Sequence, residues 1–99
     1  MEQFNTIIQS NTPVLVDFFA TWCAPCKMMA PILQQVKSQV GDEVRIIKID
    51  VDKNPAIAQQ FQIRSVPTLK LFKNGQVKWT GNGVMQADQL VGIIKTTTR

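Results

Sequence analysis

Apolar positions fall in short blocks along the chain, and their spacing changes from block to block. Phe4, Ile7 and Ile8 share one face of a short helical stretch, which the turn-prone run Ser10, Asn11, Thr12 and Pro13 ends. Val14 to Phe19 is apolar except for Asp17, and its β-branched and aromatic residues predict a strand buried on both faces. Helical spacing follows: from near Cys23, the residues Met28, Ile32, Val36 and Val40 recur every four positions with Met29 and Leu33 beside them, until Gly41 stops the helix. Val44 to Ile49 predicts a second strand. Asn54 as N-cap and Pro55 at the first helical position open a short helix to about Phe61. Thr68 to Phe72 and Gln76 to Thr80 flank Asn74-Gly75, a strong hairpin signal. A last helix over about Ala87 to Thr96 is expected to bury Leu90, Val91, Ile93 and Ile94.

The order αβαβαββα predicts an α/β fold, a three-layer α/β/α sandwich on a mixed sheet. Alternating strands and helices favour parallel pairing covered on both faces, with the closing hairpin as an antiparallel edge. No repeat, low-complexity tract or linker interrupts the chain, so a single domain over 1–99 is expected. Its 99 residues are 44% hydrophobic and 18% charged, as in a soluble globular domain that needs no staple to hold its core. The polar start carries no signal-peptide pattern and no apolar run approaches the ~18 residues of a membrane span, so a cytoplasmic location without membrane attachment is expected. Residues 1–50 hold four basic and five acidic side chains, and residues 51–99 hold seven and two. The basic residues are scattered without interleaved aromatics, which favours a solvated face over nucleic-acid binding.

Chemistry is confined to few residue types. With no histidine, Ser-His-Asp and Cys-His nucleophiles are excluded, and two cysteines cannot form a Cys₄ site within one chain. Those cysteines lie in Trp22-Cys23-Ala24-Pro25-Cys26-Lys27, where strand passes to helix. Helical Cα atoms three residues apart are ~5 Å from each other, within disulfide range. Redox exchange is the main reading, with a structural staple or a metal site shared between chains as alternatives; a loop this short contributes only ~2 kcal/mol as a staple. Cys23, at the helix start, has its thiolate favoured by unpaired N–H groups and the helix dipole, so it is expected to attack and Cys26 to resolve. Pro25 suits a first turn, whereas Pro31 lies deeper and should kink the helix without breaking it. Asp17 alternates with Leu15 and Phe19, which puts its carboxylate beneath the cysteine-bearing helix with a raised pKa, either as a base toward Cys26 or as a structurally paired acid. Lys48, expected inward with Val44 and Ile46, is its partner. Trp22 reads as a substrate platform and Trp79 as strand packing.

The segments VDFFATWCAPCK, KIDVD, VPT and FKNG, in this order, closely resemble the thioredoxin family from about Phe4 to Lys95. The resemblance implies that family's fold and reversible reduction of protein disulfides, with no bound cofactor or metal. Electrons would come from NADPH through a flavoprotein reductase, thioredoxin reductase, to the redox disulfide Cys23–Cys26. It implies that Cys23 forms a mixed disulfide, that Asp17 takes the Cys26 proton under the influence of Lys48, and that Pro67 follows a cis bond facing the cysteines. The substrate surface maps onto Trp22, Ala24, Pro25, Val66, Pro67, Gly83 and Val84, although Gly83 and Val84 also read as turn and packing residues.

Three departures from the family pattern stand out. Ala24 replaces a usual glycine between the cysteines, which bears on redox poise. Phe19 replaces a common tryptophan. The opening β-strand of the family is not seen, so Val44 to Ile49 is expected at a sheet edge, in a four-stranded monomer. Disulfide reduction is therefore the leading function. An oxidase or isomerase of the same fold, or a non-catalytic binding or chaperone module, are the alternatives.

Overall fold

The computed structural model describes residues 3–98; Met1, Glu2 and Arg99, the ends of the domain expected over 1–99, lie outside the described residues. The elements are α1 (Phe4–Ile7), β1 (Val14–Phe19), α2 (Ala24–Val40), β2 (Arg45–Asp50), α3 (Pro55–Gln60), β3 (Thr68–Lys73), β4 (Gln76–Asn82) and α4 (Ala87–Thr97). One four-stranded sheet has the order β2-β1-β3-β4. β1 runs parallel to β2 and antiparallel to β3, which pairs antiparallel with β4. The hairpin therefore supplies half of the sheet, and β3 is a central strand. It is more than an antiparallel addition to a parallel core. β2 lies at one edge, as expected, one residue later than its apolar run suggested.

The sheet is covered on both faces. On one, Leu15, Leu69 and Leu71 pack with Met29, Leu33, Val36 and Val40 of α2 and with Leu90, Val91 and Ile94 of α4. On the other, Val16, Phe18 and Phe72 pack with Phe4 and Ile8, joined by Ile57 and Phe61 from the α3 side. Phe61 meets the rings of Phe72 and Phe4 edge-on, at centroid distances of 5.2 and 5.6 Å, an arrangement that aromatic quadrupoles favour. Asn74 and Gly75 both take positive φ, as a tight hairpin turn requires, and their N–H groups donate to the carbonyls of Ser10 and Ile8.

Helix faces differ from the simple spacing in two places. The buried stripe of α2 is Cys26, Met29, Leu33, Val36 and Val40, while Met28 is 58% exposed and Ile32 half-buried. A strict four-residue repeat advances 400°, so it drifts by about 40° per step and leaves the buried face within three steps. On α4, Ile93 is half-buried beside Trp79, whereas Leu90, Val91 and Ile94 are buried as expected. Trp79 packs against the α2/α4 core from β4, in keeping with strand packing. α2 continues unbroken through Pro31, whose ring is exposed. Asn54 precedes α3 without a side-chain cap, and its side-chain N–H donates to the Asp50 carbonyl at 3.0 Å.

Candidate functional site

β1 ends at Phe19, and four residues later the chain reaches Cys23 and turns into α2, so the reactive segment sits at the end of the central strand β1, beside its parallel edge neighbour β2. Cys23 is the N-cap of α2 and adopts extended backbone angles, with Ala24 and Pro25 opening the helix behind it. Its sulfur accepts the Cys26 N–H at 3.2 Å, taking up one of the donors that a helix start leaves unpaired. Cys23 and Cys26 are joined as a disulfide with Cα atoms 5.3 Å apart, as the helical spacing required. Each residue is only 4% exposed, so burial does not distinguish the two sulfurs. The N-cap position does, because the N–H array and helix dipole favour negative charge at Cys23.

Around the disulfide, Phe19, Val51 and Val66 complete a small apolar cluster with Ala20. The Val66–Pro67 bond is cis, as the resemblance implied, and the Val66 carbonyl oxygen lies 3.7 Å from Cys23 Sγ. Gly83, at φ +84°, donates its N–H to the Pro67 carbonyl at 2.8 Å, tying the two loops together. Trp22, Ala24 and Pro25 are exposed, Val66 and Gly83 half-buried, and Pro67 buried. Val84 is half-buried against the α2/α4 core, so packing accounts for much of its surface.

Trp22 is 70% exposed, yet its orientation is held: the indole Nε1–H donates to Asp52 Oδ2 at 2.9 Å. Asp52 is in turn placed by Asp50, whose Oδ1 accepts the Asp52 N–H at 2.9 Å in the turn after β2. The sequence reading missed Asp52. Thirty residues separate it from Trp22, and no local spacing signals the pair; the only cue is the acidic turn that closes KIDVD.

Asp17 shares a strand face with Leu15, which packs on α2, so its carboxylate points to the layer occupied by the cysteine-bearing helix. The residue is fully buried and, among the described residues, neither oxygen has a hydrogen-bond partner. Burial pushes its pKa up to about 6, against a smaller opposing pull from Lys48. Lys48 is paired with Asp17 in the β1–β2 register and shares its sheet face, as expected, but at the sheet edge it is not buried. It is exposed, with Nζ 4.6 Å from the centroid of the Phe19 ring. The ammonium keeps its hydration and a cation–π contact, which a dry ion pair beneath the helix would forfeit. A cavity of about 250 Å³ lined by Phe19, Ala20, Thr21, Cys26, Lys27 and Lys48 brings Lys48 and Cys26 to one space. Replacing Lys48→Met removes a charge that favours ionised Asp17. A carboxyl NMR titration should then show the Asp17 midpoint rising above its wild-type value, and an unchanged midpoint would contradict this electrostatic link.

A disulfide closed across the first turn of a helix, beside a cis-proline loop and an exposed, tethered indole, defines a protein that exchanges dithiol for disulfide. The thioredoxin family model matches residues 1–96. A thioredoxin-like protein of Synechocystis is 60% identical over 82 residues, covering 83% of this chain and 78% of that protein. A bifunctional thioredoxin reductase/thioredoxin of Mycobacterium leprae is 51% identical over 73 residues, covering 74% of this chain and 16% of that one. Among solved structures, a mutant thioredoxin from Halobacterium salinarum superposes with a TM-score of 0.88 at 35% identity, covering 100% of this chain and 88% of that one. The chain belongs to the thioredoxin family. It is a protein thiol-disulfide oxidoreductase whose redox-active pair is Cys23 and Cys26.

Proposed function

We propose that this chain works in the reducing direction on protein disulfides, with Cys23 as the attacking sulfur. The observation that carries the role of Cys23 is the N-cap geometry, in which Cys23 Sγ accepts the Cys26 N–H, and the likeness to thioredoxins supports the reducing direction. With the pair reduced, Cys23 thiolate attacks one sulfur of the substrate disulfide, forming a mixed disulfide and expelling the other sulfur as thiolate. Cys26 gives its proton to Asp17, whose raised pKa of about 6 keeps it a usable base near neutrality. Cys26 thiolate then attacks Cys23 Sγ, closing the Cys23–Cys26 bond and releasing the second substrate sulfur, which takes up a proton. Two electrons have passed to the substrate. They are restored to the chain from NADPH by a flavoprotein thioredoxin reductase, a partnership supported by the fused reductase/thioredoxin relative. A reducing, cytoplasmic setting for a monomeric carrier fits this direction.

Equilibration with glutathione is the test. The pair should remain mostly oxidised when mixed with reduced glutathione at equal poise, meaning its dithiol is the stronger reductant. A pair that glutathione reduces readily would instead assign the chain to disulfide formation or isomerisation, with Ala24 as the first residue to exchange.

Trp22, Pro25, Val66 and Pro67 form the surface against which an extended substrate segment lies, and Asp52 orients its tryptophan. Asp52→Ala should lower kcat/KM for insulin reduction several-fold. Because an exposed hydrogen bond is lost, the stability change should stay within ~1 kcal/mol. Unaltered insulin kinetics would show that Trp22 needs no tether.

A further inference from the structure

Between Lys53 and Ala87 the chain carries Lys53, Arg64, Lys70, Lys73 and Lys78 and not a single aspartate or glutamate. Two of these cations share one groove. Arg64, Ser65, Thr68, Lys70, Thr80 and Asn82 line a cavity of about 280 Å³ between the loop before Pro67 and the β3–β4 hairpin. Its polar groups are ordered: Lys70 Nζ donates to Thr80 Oγ1 at 3.1 Å, and Thr68 Oγ1 lies 2.9 Å from Asn82 Oδ1 and 2.7 Å from the Ser65 carbonyl. An ammonium with one donor engaged has two left, and an exposed guanidinium offers a fork matched to a carboxylate. The groove also adjoins the loop that reaches the reactive site. Arg64 is two residues from Val66, whose carbonyl faces Cys23 Sγ, and two residues of backbone span no more than ~7 Å.

From this juxtaposition we infer that the Arg64–Lys70 groove docks an acidic segment of the disulfide-bearing partner, with its Asp or Glu two to four residues from the cysteine that Cys23 attacks. The inference rests on the reducing function proposed above and adds a substrate class to it. A polypeptide is the occupant because the groove is lined from the loop that, two residues on, brings the Val66 carbonyl to Cys23 Sγ, and it holds no aromatic side chain on which a nucleic-acid base would stack.

Disulfide-linked peptide pairs that differ only in residues two to four from the cysteine, acidic or neutral, test it on the reduced full chain. At about 20 mM salt, kcat/KM should favour the acidic peptide about fivefold or more, and at about 300 mM salt the ratio should fall toward one. Arg64→Glu with Lys70→Glu should abolish or invert the preference. Equal rates at low salt, or a preference that survives in the double variant, would overturn the inference. So would a single-stranded oligonucleotide that displaces the acidic peptide and loses binding in the same variant. The function itself is read separately, by binding of a cysteine-to-serine acidic peptide to the oxidised chain. Chemical-shift changes at Arg64 and Lys70 without reduction of either peptide would support the docking surface while removing the reducing assignment.

Discussion

Replacing Cys26→Ser is expected to stop turnover after the first exchange, leaving Cys23 joined to its substrate. The substitution removes the sulfur that would attack Cys23 Sγ and leaves the N-cap environment of Cys23 in place, since the bond from the residue 26 N–H belongs to the backbone. A hydroxyl in place of the thiol cannot displace the product, so a one-to-one mixed disulfide should accumulate and survive until a strong external thiol is added. Cys23→Ser should behave differently. With the nucleophile gone, insulin reduction should fall by at least ~10³-fold and no covalent complex should form, because a serine hydroxyl at neutral pH is a poor nucleophile toward sulfur. Mass spectrometry of the trapped species checks both outcomes. A Cys26→Ser chain that turns over normally, or a covalent adduct formed equally by Cys23→Ser, would reverse the two roles.

Asp17→Asn should make the protein more stable at pH 8 while slowing its chemistry. The wild-type acid is fully buried with no hydrogen-bond partner among the described residues, and its pKa in the folded chain is about 6, above the ordinary 3.8. Below pH 3.8 both folded and unfolded chains hold the proton, and burial of the neutral acid carries no ionisation cost. As pH rises between 3.8 and 6, the unfolded chain releases its proton first, so stability declines. Above about pH 6 both forms are ionised and the cost levels off, at about 3 kcal/mol for a displacement of this size. Asparagine has nearly the shape of the protonated acid and never ionises. Urea unfolding of the oxidised chain should therefore give a variant about 3 kcal/mol more stable than wild type at pH 8 and nearly equal to it at pH 3.5. Release of the mixed disulfide at pH 7 should be slower, on the order of 10²-fold, the usual worth of a positioned base. A stability difference that stays constant with pH would mean that ionisation of Asp17 is not its source. Unchanged single-turnover kinetics would remove Asp17 from the proton transfer.

Most secondary elements were legible because their causes are local. The hairpin turn at Asn74-Gly75 needs only two residues that tolerate positive φ, and α2 ends at Gly41, φ +55°, for the same reason. The reactive pair was legible too, since three-residue spacing at a helix start brings two sulfurs together whatever the rest of the fold does. Where the reading failed, the deciding neighbour was distant in sequence. Met28 has the same periodicity as Val36, but only the position of the sheet selects which stripe of α2 is covered. Lys48 alternates correctly with Ile46, yet the competition between a dry pairing with Asp17 and a wet contact with the Phe19 ring is resolved by access to water. Asp52 reaches Trp22 only because β2 ends beside β1.

By itself the sequence determined the cysteine chemistry, the absence of any histidine to share it, and the position of one acid on the strand beneath the reactive helix. Tertiary structure alone decided how strongly that acid holds its proton, that the Lys48 ammonium stays in water, and where two cations of the second half share a groove. The physical reason is range. Covalent spacing and backbone conformation act over a few residues, whereas desolvation and charge–charge interactions depend on every atom that folding brings within several ångströms.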